Sequence, residues 1–222
     1  MKKFLTVLTA ILLAGNVSFG QNSKESDDAY VKTITQRAEK ILAAVNLTDS
    51  VKYKKVRDVI VSQYLNLNKI HEEKNSQINS EKTKEPIDKE QRDRNLKLIE
   101  EEAGKRLFVL HKEYVKQLSS NLTKEQVGQV KDGMTYGVLN VTYKAYSDMI
   151  PSLKPLEKEQ ILTWLTEARE LAMDAGTSDG KHQIFGKYKG RINNYLSSAG
   201  YDIQKERKAW EERLKVSKSN GR

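Results

Sequence analysis

Between Leu96 and Leu118 the apolar residues fall at Leu96, Ile99, Ala103, Leu107, Leu110, Tyr114 and Leu118, each three or four positions after the last. Spacing of this kind, sustained this long, puts one apolar stripe on a helix, whereas a strand would need alternation. Such a stripe has to be buried against other helices. The same spacing recurs. Val31, Ile34, Ala38, Ile41, Leu42 and Val45 predict a helix over 27–45, capped by Asp27 or Ser26. Val56, Val59, Ile60, Leu67 and Ile70 predict a second helix from about Asp49, with Thr48 as N-cap. Ile161, Leu165, Ala168, Leu171 and Ala172 predict another over 156–175, which Gly176 can end in the left-handed conformation. Thr123 and Gln126 form a capping box before a shorter helix. A further short helix is expected near 140–149, and a charged one over 203–216 with a mobile tail at 217–222.

No segment alternates like a strand, and only three prolines, Pro86, Pro151 and Pro155, interrupt the chain. The expected fold is all-α: a multi-helix bundle with one long antiparallel helical hairpin. The hairpin tip is placed at 75–95, which is nearly free of apolar residues, with Pro86 marking the turn. Residues 69–106 carry 10 cations and 10 anions, a mixture that reads as solvated surface. His71, Glu72 and Glu73 lie here without the H-E-x-x-H spacing of a zinc protease, and His71 reads as a surface histidine.

The chain opens MKKFLTVLTAILLAGNVSFGQN. Lys2 and Lys3, a short apolar run, and Ser18 and Gly20 before Gln21 have the pattern of a cleaved secretory signal peptide over 1–20. The run is too short to span a bilayer comfortably. A single helical domain over 21–216 would remain, periplasmic or extracellular, with no membrane span. It has no cysteine, although that compartment permits disulfides, so packing must stabilise it. Without Lys2 and Lys3 the chain has 37 Lys+Arg against 30 Asp+Glu. The whole of that +7 excess resides in residues 181–222, which hold 11 cations and 4 anions. A localised basic surface points to an anionic partner. Outside the cytoplasm, acidic glycan, anionic lipid or surface polymer fits better than nucleic acid. No P-loop, nucleophile elbow, Ser/His/Asp order or metal pattern is present, and no cofactor is expected.

Two stretches stand out. On a helix over 181–199, Ile184, Phe185, Tyr188, Ile192, Tyr195, Leu196 and Ala199 share one face. Gly186 and Gly190 fall opposite, beside His182, Asn193 and Asn194, with Lys187, Lys189 and Arg191 at the boundary. Two interior glycines cost about 2 kcal/mol relative to alanine. Either another backbone packs closely at them, the commoner cause, or a ligand lies against this face. The second stretch, KDGMTYGVLNVTYKAY over 131–146, contains Asp132, two glycines and Tyr136, Tyr143 and Tyr146. Tyrosines offer an apolar plate with a polar tip for stacking on sugars, although packing at a helix junction accounts for them as well.

DGMTYG at 132–137, EARELAMDAG at 167–176 and FGKYKGRINNYLSSAGYD at 185–202 resemble the secreted domain-of-unknown-function family numbered 3826, over nearly the whole chain beyond the leader. The resemblance implies an exported protein of Gram-negative polysaccharide degraders, often encoded beside enzymes of pectin-like glycans, and it carries no catalytic residue. The Leu-Thr-x-x-Gln helix starts also resemble small periplasmic helical chaperones, with Thr123 and Gln126 fitting that pattern. The expectation is a non-catalytic accessory protein binding acidic polysaccharide. Lys187, Lys189 and Arg191 would face carboxylates, Asn193 and Asn194 would bond hydroxyls, and His182, Tyr136 and Asp132 would complete the ligand set. One alternative is a lyase or hydrolase on such glycans with Tyr188, Lys187 or His182 as base. Another is a holdase-type chaperone.

Overall fold

The computed structural model describes residues 19–85 and 88–220. Among the described residues there are eight α-helices and no strand: α1 (Phe19–Ala43), α2 (Ser50–Thr83), α3 (Lys89–Ser119), α4 (Lys124–Met134), α5 (Val138–Met149), α6 (Pro155–Met173), α7 (Ser178–Ser198) and α8 (Ile203–Asn220). The all-α bundle with one long antiparallel hairpin, α2–α3, is what the apolar spacing demanded. Residues 1–18 of the expected signal peptide and Pro86 at the expected turn lie outside the described residues. The expected cut before Gln21 falls in the first turn of α1.

Several helix ends differ from expectation, each for a local reason. α1 runs through Ser26 and Asp27 rather than starting there. α2 is capped by Asp49, not Thr48: its Oδ1 accepts from Val51 N at 2.9 Å and Lys52 N at 3.0 Å. The capping box at Thr123 and Gln126 forms in both directions. Gly176 is not left-handed; the left-handed glycines are Gly137 and Gly200. The hairpin helices extend to Thr83 and from Lys89, so residues 75–95 are largely helical rather than an extended tip. α8 continues past Val216 to Asn220, into the expected tail.

Apolar side chains gather into two clusters. The first joins α1, α2, α3 and α4, with Ile34, Leu42, Ile60, Leu118 and Met134 all but inaccessible. The second joins α5, α6 and α7, with α8 packed against it, around Ile161, Leu165, Phe185, Ile192 and Leu196. Each large side chain fully buried in this way contributes about 1.5–3 kcal/mol. Three expected core residues are exposed: Val31 at 39%, Leu171 at 53%, and Ala199. In α6 the core positions are Ile161, Leu165, Ala168 and Ala172, and Leu171 is turned about 100° from Ala172. Met173 of α6 reaches across into the first cluster. α4 and α6 therefore sit where the two clusters meet.

Candidate functional site

The reversal from α4 to α5 is made by the sequence Met134-Thr135-Tyr136-Gly137. Gly137 N donates to Asp132 O at 2.8 Å, and Thr135 Oγ1 donates to Lys131 O at 2.8 Å. Closing this turn requires two consecutive left-handed residues, Tyr136 (φ 58) and Gly137 (φ 65). Glycine accepts that conformation freely; a tyrosine held there carries about 1 kcal/mol or more of strain. The strained residue is 48% exposed, and its ring stacks on His182 with centroids 6.0 Å apart and planes 17° from parallel.

Tyr136 lines a cleft of about 560 Å³ between α1 and the α4–α5 turn. Arg37 and Lys40, both exposed, come from α1; Gln129 and Asp132 come from α4, and Asn140 from α5. Gly133 brings the two sides together, since a Cβ there would meet Ile41 at 2.9 Å. The Arg37 guanidinium stands 5.5 Å over the ring of Tyr64, whose hydroxyl burial pushes up to about 12. The Asp132 carboxylate is already engaged. Oδ1 accepts from Arg169 Nη1 at 2.8 Å and Oδ2 from Asn140 Nδ2 at 2.8 Å. Asp132 therefore positions the cleft wall by tying α4 to α5 and α6.

Behind that wall runs a polar network between the clusters. Glu170 accepts from Lys131 Nζ at 2.6 Å and from Arg169 Nη2 at 3.3 Å, and lies 3.4 Å from His111 Nε2. His111 Nδ1 is 2.9 Å from Asp174 Oδ2. Burial alone would raise the Glu170 carboxyl, but His111 and Lys131 bring it down to about 2. Asp174 and Glu170 together lift His111 to about 9 against the pull of burial. Lys181, only 5% exposed, donates to Met134 O at 3.0 Å, and burial lowers its ammonium to about 8. His71 is no free surface histidine. Its Nε2 is 2.7 Å from Asp174 O, and its ring lies so close to Gly176 that a Cβ there would meet it at 2.7 Å. Close approach, not handedness, explains that glycine. Among the described residues no group of three or more His, Asp and Glu is placed to hold a metal ion.

The α7 residues do not converge on one ligand face. Lys187 lines a polar cleft against Asn68, His71 and Glu72 of α2. Lys189 and Asn193 line a different cavity with α5 and α8. Arg191 lies 5.2 Å over Trp164 and 5.8 Å over Tyr188, and pairs with Glu167 at 3.6 Å. Asn193 Oδ1 accepts from Tyr146 at 2.7 Å, while Asn194 is exposed. Burial, then the neighbouring Glu167, raises the Tyr188 hydroxyl, the wrong direction for a base. The expectation of close packing at Gly186 and Gly190 is overturned: nothing lies within 4 Å of a Cβ at either, and both are exposed. Packing at a junction does hold for the tyrosines Tyr143 and Tyr146, which join the second cluster.

Tyr136 and Asp132 thus share a cleft, His182 stacks on Tyr136 without lining it, and the α7 cations stand elsewhere. Arg37, Lys40, His111, Lys131, Arg169, Glu170, Asp174 and Lys181 were not singled out in the sequence. A signal existed for four of them. Lys181 is in helical register with Phe185, Tyr188 and Ile192; His111 follows Leu107 by four; Lys131 follows Val127 by four; Arg169 follows Leu165 by four. Charged residues at stripe positions are buried charges, which proteins keep only when paired. Arg37 follows Ile34 by three but is exposed, and Lys40 gave no such signal.

A family model described as a protein of unknown function (DUF3826) matches residues 31–216. No curated protein matches the chain.

Proposed function

The chain belongs to the DUF3826 family, whose description assigns no activity, and from its own residues we propose that it is an exported, non-catalytic accessory protein that binds acidic polysaccharide. The receiving site in this reading is the cleft between α1 and the α4–α5 turn. One observation carries it. A single cleft gathers two exposed cations, Arg37 and Lys40, two amides, Gln129 and Asn140, and an aromatic plate, Tyr136, that strained backbone holds at the rim. Cations answer uronate carboxylates, amides answer hydroxyls, and the ring answers the apolar face of a sugar. The strain holds a half-exposed ring whose stacking partner, His182, is itself exposed, so it is better explained by presentation of the ring than by core packing. No helix among the described residues is long and apolar enough to cross a membrane.

The test is titration of the purified chain with polygalacturonate, rhamnogalacturonan and neutral glycans, at low and high salt, with ultraviolet absorbance followed throughout. Binding to the acidic polymers should weaken with salt. It should fall about tenfold or more in an Arg37→Ala/Lys40→Ala variant, a loss of about 1.4 kcal/mol. Absence of binding to every acidic glycan would refute the proposal. Growth of unsaturated product would replace it with a lyase.

A further inference from the structure

A second cavity, of about 490 Å³, opens between α5, α7 and α8. Its cations are Lys189 and Arg207, both exposed, and its aromatic wall is Trp210. Its amide is Asn193, whose Oδ1 is fixed by the Tyr146 hydroxyl at 2.7 Å. One carboxylate, Glu211, is also present and can accept from sugar hydroxyls. The first cleft has the same composition: two cations, an aromatic ring, amides and one acid. Tyr146 of α5 is hydrogen-bonded to Lys189 O and to Asn193 of α7, two helices that the second cluster holds together, so this is a formed cavity and not a chance of surface side chains.

The two cavities meet on α5. Asn140 lines the first, and Val141, the next residue, lines the second. Their walls are thus one residue step apart, about 3.8 Å along the chain. Val141 is 69% exposed, so the ridge between them is open to solvent. The two cavities thus share a composition and adjoin the same helix, with no lining residue in common. We infer that one anionic polysaccharide chain occupies both cavities, crossing α5 at Asn140 and Val141, so that they are subsites of a single extended site. This rests on the binding reading above and adds to it that the protein selects chains long enough to span both. Once one subsite is filled, the other sees its sugar at high effective concentration, and affinity rises with length without any new type of contact.

The experiment is calorimetric titration of the full chain with galacturonate oligomers of increasing length. Variants Arg37→Ala/Lys40→Ala and Lys189→Ala/Arg207→Ala are compared, their folding checked by circular dichroism. All four side chains are exposed, so both variants should fold. Affinity should rise by about tenfold or more over a narrow range of lengths, with one oligomer bound per protein. Each double variant should abolish that rise, and Lys189→Ala/Arg207→Ala should still bind short oligomers. Equal affinity for short and long oligomers, or two long oligomers bound per protein, would overturn the extended site and leave binding at the first cleft standing. No binding of any oligomer by the unaltered chain would refute the binding reading itself, and the extended site with it.

Discussion

Alanine at Gly186 or Gly190 should stabilise the protein. Both glycines are in the interior of α7 with open space around them, so a methyl group meets nothing and removes backbone freedom from the unfolded chain. Each change should add about 1 kcal/mol in urea unfolding. A loss of stability from either would show that something does pack there. The same substitution at Gly133 or Gly176 should act oppositely, by about 1–3 kcal/mol, because its Cβ would enter Ile41 or the His71 ring. Spacing in the sequence identifies which glycines burden a helix; it cannot identify which of them another segment approaches, because that depends on how helices cross. Tyr136→Gly separates two effects at one position. It should relieve the left-handed strain, stabilising by about 1 kcal/mol, while glycan binding is lost. Retained binding in that variant would remove the ring from the site.

At the scale of elements, the polar network of α3, α4 and α6 sets a pH window. His111 is lifted in the folded state to about 9 from an ordinary 6.5. Its contribution is therefore complete below about pH 6.5 and is lost as pH rises through about 9. Glu170 is lowered to about 2 from 4.5, so its contribution is complete above about pH 4.5 and is lost as pH falls through about 2. Stability should thus peak between these limits, and His111→Gln should flatten the alkaline side of a pH-resolved denaturation series. An unchanged slope would exclude His111 as its origin. Glu170→Gln should cost about 3 kcal/mol, since it strands the largely buried Lys131 without its counter-charge and leaves His111 with Asp174 alone. The apolar stripes of these helices were legible because the period of a helix is fixed. The network was legible only at Lys181, His111, Lys131 and Arg169, which stand in stripe register. Glu170 and Asp174 stand off the stripe and have partners on other helices, and sequence spacing along one helix does not specify those.

For the whole molecule, the two apolar clusters are joined by α4, α6 and that network, with Met173 as the α6 side chain embedded in the first cluster. Met173→Ala should cost about 3 kcal/mol. Calorimetry should then show whether the clusters still melt together: splitting of the transition is expected, and a single, merely lowered transition would mean the other contacts couple them unaided. The hairpin has a different character. α2 is 34 residues long, yet its last buried apolar residue is Ile70; beyond it only Glu81 is buried, held by Asn95 at 2.6 Å and Lys84 at 2.7 Å. On α3 no residue before Ala103 is fully buried. About 20 Å of paired helix therefore extends past the last fully buried apolar side chain of α2, supported by these polar contacts and by the half-buried Ile78, Leu96 and Ile99. Its amide protons should exchange with solvent in a gradient, fastest near Lys84 and Asp88 and slowest at Ile60 and Leu118. The arm can open and reclose from its end while the two cavities between α1, α5, α7 and α8, which none of its residues line, keep their shape.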